Sequence, residues 1–127
     1  MATSLWSQDS KMKPRLLFII TSDPLTSHRP AEAIRIAAGI GVWKKVEVLV
    51  YLRSAAVLAL SELTDDLVDE ENFTRYLPLL GEPGHPVYVE RGSPLLARLG
   101  AAPLRFEEIS EEQLAELAAQ SSSVVHF

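Results

Sequence analysis

RLLFIITSDP, residues 15–24, and VEVLVYLRS, residues 46–54, decide the fold. Leu16, Leu17, Phe18, Ile19 and Ile20 are continuously apolar and β-branched toward the end, so Arg15 to Thr21 reads as a strand buried on both faces. The polar set Thr21-Ser22-Asp23-Pro24 stops it. Val46 to Leu52 repeats the pattern, broken only by Glu47. Between the two lies a helical stretch, with Pro30 tolerable in its first turn and Ile34, Ala37 and Ala38 at i, i+3, i+4. Gly39 and Gly41 are expected to end that helix. Two doubly buried strands flanking one helix make a βαβ unit.

The remaining chain continues the alternation. Ser54 is a candidate cap for a short helix through Leu60, and Phe73, Tyr76, Leu77 and Leu80 fall at i, i+3, i+4, i+7 of a longer one. Asp65, Asp66, Asp69, Glu70 and Glu71 lack the spacing of a calcium loop and read as the acidic start of that helix, favoured by its dipole. Pro86-Val87-Tyr88-Val89 is a third strand. Ser93 then looks like an N-cap before Pro94, with Leu95, Leu96 and Leu99 on the buried side and Gly100 past the end. Pro103 to Phe106 is a candidate fourth strand. Ser110-Glu111-Glu112-Gln113 is a capping box, stapled by Ile109 and Leu114, for a helix to about Gln120. Ser123 to Phe127 supplies a fifth strand. This order predicts a three-layer α/β/α sandwich with a mainly parallel five-stranded sheet, because right-handed crossovers put helices on both faces.

Composition narrows the function classes. The chain has 127 residues, 47% hydrophobic and 23% charged, the size and balance of a single domain. We expect one domain over 15–127, preceded by a flexible segment, 1–14. Its formal net charge of -5 argues against nucleic acid as a partner, and Lys11, Lys13 and Arg15 form only a small basic cluster. No apolar run is long enough for a bilayer span, and Met1 to Pro14 lacks the apolar run of a signal peptide, so a cytoplasmic location is expected.

In a parallel sheet, ligands bind outside the carboxyl ends of the strands. The candidate site is therefore Thr21, Ser22 and Asp23 after the first strand, Arg53 and Ser54 after the second, and Arg91, Gly92 and Ser93 after the third, with His28 within reach. Gly92 permits close backbone approach and Arg91 adds a fork of donors for an anion, while Pro94 removes one free amide at that helix start. Asp23 and Arg53 are also suited to pairing with each other. His28, His85 and His126 are scattered, without HExxH or i, i+4 spacing, so neither a metal nor a cofactor is expected. Gly39-Ile40-Gly41 lies after a helix rather than before one, the wrong placement for a dinucleotide fingerprint, and no P-loop or GxSxG elbow occurs.

From Arg15 onward the chain resembles the DsrE/DsrF-like family of small sulfur-relay proteins. The correspondence runs through LLFIITS (16–22), the Ala-rich helix over Ala31 to Gly39, Val46 to Leu52, Pro86 to Val89, a Leu/Ala helix and the Val124-Val125 strand. The resemblance implies a parallel five-stranded α/β/α fold assembled into trimers or hexamers. In several members a cysteine near the end of the third strand carries sulfur as a persulfide. The matching stretch here is Glu90-Arg91-Gly92-Ser93, and the sequence contains no cysteine. A persulfide carrier needs a thiolate, for which no hydroxyl, carboxylate or guanidinium substitutes. The leading expectation is a non-catalytic homo-oligomer that binds a small anionic ligand or a protein partner at the rim. The rival is an enzyme using Asp23 or His28 as acid or base with Arg91 stabilising negative charge. A third reading is a structural subunit docking through the Leu5-Trp6 segment or exposed helices.

Overall fold

β1 (Arg15–Ile20) and β2 (Glu47–Leu52) pair in parallel along their whole length, Arg15 opposite Glu47 and Ile20 opposite Leu52. The structure, a computed structural model, describes residues 14–61, 66–80, 86–100 and 104–127. Leu5, Trp6, Lys11, Lys13, Asp65, His85 and Pro103 lie outside the described residues. β3 (Val87–Glu90) joins β2, and β4 (Phe106–Ile109) joins β3. β5 (Ser123–His126) lies on the other side of β1, giving the order β4-β3-β2-β1-β5 with every pairing parallel.

That order dictates the layers. The chain steps in one direction from β1 to β4, so right-handed connections place everything between those strands on one face. This face holds α1 (Arg29–Val42), a 3-10 turn (Ser54–Leu60), α2 (Glu70–Tyr76), a 3-10 turn (Leu77–Leu79) and another (Pro94–Arg98). The step from β4 back to β5 reverses direction and puts α3 (Glu111–Ala119) on the opposite face. The core divides accordingly. Phe18, Ile20, Val50, Leu52, Val87 and Val89 meet Ala31, Ile34, Ala37 and Ala38 of α1 and Phe73 of α2. On the other side Leu17, Ile19, Leu49, Tyr51 and Ile109 meet Leu114 of α3. Each fully buried Leu, Ile or Phe contributes about 1.5–3 kcal/mol, and the alanines of α1 let that helix lie close to the sheet.

Several local expectations are corrected. α1 does not end at Gly39 or Gly41 but runs through both to Val42. Ile36 and Ile40 pack on the core and outweigh the glycines' cost, and Lys44, at φ 64, makes the left-handed turn instead. Ser54 is not a cap, because Arg53 holds that position, Ser54 itself lies at φ 54, and the segment is 3-10 rather than α. The helix expected through Leu80 tightens to 3-10 at Leu77, since Pro78 has no amide to donate. The fourth strand lies at Phe106–Ile109 rather than Pro103 to Phe106. Only that register buries Ile109 beneath α3 while leaving Glu107 and Glu108 at the edge.

Other signals hold. Ser93 Oγ accepts from the Leu95 amide at 3.3 Å, ahead of Pro94. The capping box closes in both directions: Gln113 N donates to Ser110 Oγ at 3.2 Å, and Ser110 N to Gln113 Oε1 at 2.8 Å. A nine-residue helix is marginal alone, so this cap and the Ile109 and Leu114 contact fix where α3 starts.

Candidate functional site

Because β1, β2 and β3 are parallel neighbours, the loops that leave them open on one rim. The first loop is built on main chain. Thr21 and Ser22 donate their amides to the Phe127 carbonyl at 3.1 and 3.3 Å, and Ser22 Oγ donates to the same oxygen at 3.0 Å. Asp23 turns into its own loop, its Oδ1 accepting from the Leu25 amide at 2.9 Å. Asp23 does not pair with Arg53. His28 is exposed at the N-cap of α1 and makes no side-chain cap bond. His126 is exposed at the end of β5.

The second and third loops converge through carboxylates. The Arg53 guanidinium pairs with Glu111 at the start of α3 and lies 5.7 Å from the Tyr51 ring centroid. Ser54, held in the left-handed region, directs its amide at Glu90 Oε1, 3.0 Å away. Gly92, at φ 76, directs its amide at Glu108 Oε1 at 3.3 Å. Arg91 donates from its amide to the Ile109 carbonyl at 3.1 Å and from its side chain to Gln113 at 3.3 Å. Ser93 is buried and spends its hydroxyl on the Leu95 amide.

The rim thus brings Arg53, Ser54, Arg91 and Gly92 together, with Thr21 and Ser22 tied to β5. Sequence reasoning missed Arg29, Glu90, Glu108 and Glu111 as parts of it. Arg29 lies 5.6 Å from the Phe127 ring centroid and donates to the His126 carbonyl at 3.4 Å. Glu90 was visible as the last residue of a strand pointing toward the rim, but Glu108 and Glu111 gain their roles only through the β3–β4 register. Chemically, the rim presents two amides and the Arg53 guanidinium, which take carboxylate oxygens, and the Arg91 guanidinium, which takes the Gln113 carboxamide oxygen, so each is already served by the chain's own groups.

Burial raises the Tyr51 hydroxyl pKa above its ordinary 10.0, opposed by Arg53 and reinforced by Glu90. Tyr88 is raised too, first by burial and then by Glu107. On the α1 side, tied to the first loop by the Val68 amide on the Pro24 carbonyl at 2.8 Å, lies an open hollow of about 450 Å³. Its lining of Leu67, Asp69, Glu70, Glu71 and Asn72 is unsuited to anions. Among the described residues, no group of three or more His, Asp or Glu side chains is placed to hold a metal ion. No helix there is long and apolar enough to cross a membrane.

An all-parallel five-stranded sheet in this order, layered between helices, is a DsrE-like α/β/α fold. Among solved structures, the crystal structure of the YchN protein from Escherichia coli is similar to it at TM-score 0.72. The alignment covers 91% of this chain and 100% of YchN, at 18% sequence identity. No protein-family model matches the chain, and no curated protein does.

Proposed function

We propose that the chain is a non-catalytic, DsrE-like subunit that acts as a homo-oligomer and takes up a small anionic ligand at the rim of Thr21, Ser22, Arg53, Ser54, Arg91 and Gly92. One observation carries the reading: two strand-exit amides, of Ser54 and Gly92, are held at positive φ and aimed at carboxylate oxygens, flanked by two guanidinia. Positive φ costs a non-glycine residue about 1 kcal/mol or more, so Ser54 is a costly way to point an amide. Glu90 and Glu108 stand where an incoming anion's oxygens would go, and Arg53 and Arg91 supply charge-assisted donors beside them. Without a cysteine, the persulfide step that the family resemblance implies has no nucleophile.

The test is calorimetry of the full chain with succinate, phosphate and AMP, alongside native mass measurement. The double variant Glu90→Gln, Glu108→Gln weakens the internal competition and is expected to tighten binding by about threefold to tenfold. Arg53→Ala with Arg91→Ala is expected to weaken it about tenfold. A chain that takes up none of the three anions, even with both glutamates replaced, refutes the ligand reading.

A further inference from the structure

The two edges of the sheet are unlike each other. β4 exposes Glu107 and Glu108, charges that keep another strand from pairing there. β5 is Ser123-Val124-Val125-His126, with no carboxylate, lysine, arginine or proline, and Ser123, Val124 and His126 are exposed. Among the described residues no strand lies on its outer side. In a parallel ladder alternate residues turn their main-chain groups to the neighbour. Phe127 does so, donating to the Ile19 carbonyl at 2.9 Å and accepting from the Thr21 amide. Val125 shares that phase, which leaves the amides and carbonyls of Val124 and His126 directed outward. The His126 carbonyl takes one long bond from Arg29 at 3.4 Å and keeps a second lone pair.

We infer that this edge pairs with the same edge of a second copy, antiparallel about a two-fold axis at Val125. The occupant is a second copy because the strand is complementary to itself in that register. Val124 of one copy lies opposite His126 of the other, so every outward amide meets an outward carbonyl. The two Val125 side chains meet across the axis on the α1 face, and Val124 packs beside the other copy's His126 on the α3 face. No like charges oppose each other, whereas the same operation on β4 would bring glutamates together. One sheet then runs through both copies, and the antiparallel arrangement leaves the two rims open at opposite ends. This interface rests on the oligomeric part of the function proposed above and names the surface that supplies it.

Sedimentation of the full chain across a wide concentration series tests it, with circular dichroism to verify folding. Val124→Pro removes an amide that the intrachain ladder does not use, and an edge strand tolerates proline there. Val124→Lys keeps that amide and adds a charge at the interface, so it serves even where the proline variant does not fold. The wild type is expected to form dimers or even-numbered assemblies, and each folded variant to raise the dissociation constant about tenfold or more. Unchanged association of folded Val124→Lys overturns this interface while leaving an oligomer in place. A wild type monomeric at every concentration overturns both.

Discussion

Replacing Phe127 with alanine tests how β5 is held to the rest of the molecule. The Phe127 ring stacks on Phe18 at 5.9 Å between centroids and 19° between planes, with the Arg29 guanidinium 5.6 Å from its centroid. Full burial of a phenylalanine is worth about 1.5–3 kcal/mol, and this ring is half-buried, so roughly half of that applies. The aromatic pair adds about 0.5–1.5 kcal/mol and an exposed cation–π contact about 0.5–1 kcal/mol. The sum is about 2–4 kcal/mol. Alanine keeps the carbonyl that Thr21 and Ser22 bond, so the loss is confined to the ring. Urea unfolding followed by circular dichroism should show that loss, with a fall in Tm of roughly 10 °C. Arg29→Ala alone should cost about 0.5–1 kcal/mol, and the double variant should recover that amount as coupling. A loss under about 1 kcal/mol for Phe127→Ala would refute the stacking argument, and no coupling would refute the Arg29 contact.

Two further outcomes follow from the helix and the buried tyrosine. Gly39 and Gly41 are interior to α1, and a Cβ at either would meet no atom within 4 Å. Gly39→Ala and Gly41→Ala are therefore expected each to stabilise by about 0.5–1 kcal/mol in urea titration, and destabilisation by either would show that the helix does not run through that position. Burial raises the Tyr51 pKa, so above pH about 10 the unfolded chain loses its proton first and binds fewer protons than the folded one. Stability should then fall with rising pH by up to about 1.4 kcal/mol per pH unit from this group, and be independent of it below about pH 9. Tyr51→Phe should flatten that alkaline slope while Tyr88 maintains the rest, and an unchanged slope would count against the buried hydroxyl as its source.

The sheet was legible because Leu16 to Ile20 and, apart from Glu47, Val46 to Leu52 are apolar without alternation, a pattern that double cover explains. Once those strands were parallel, the rim followed, with Thr21, Arg53 and Arg91 each just past a strand. Ser93 before Pro94 and Ser110 before Gln113 marked their helical starts because caps are local chemistry. What the sequence hid was long-range. Glu90 reaches Ser54, Glu108 reaches Gly92 and Arg53 reaches Glu111 only in the folded register. The position of β4 was hidden for the same reason, since FEEI looks too charged for a strand until its place at the sheet edge is known. Gly39 and Gly41 misled because glycine is a strong terminator by propensity, and propensity yields to the packing of Ile36 and Ile40.

On the function proposed above, the glutamates seated on the rim amides would turn ligand uptake into an exchange: one acidic side chain would swing into water as another negatively charged group arrived. Preference then follows the difference between guest and resident, which favours species carrying more than one negative charge, able to engage both arginines at once. Under that proposal chloride, acetate and similar monovalent ions would gain nothing over the residents, and the rim would discriminate against them without any steric filter.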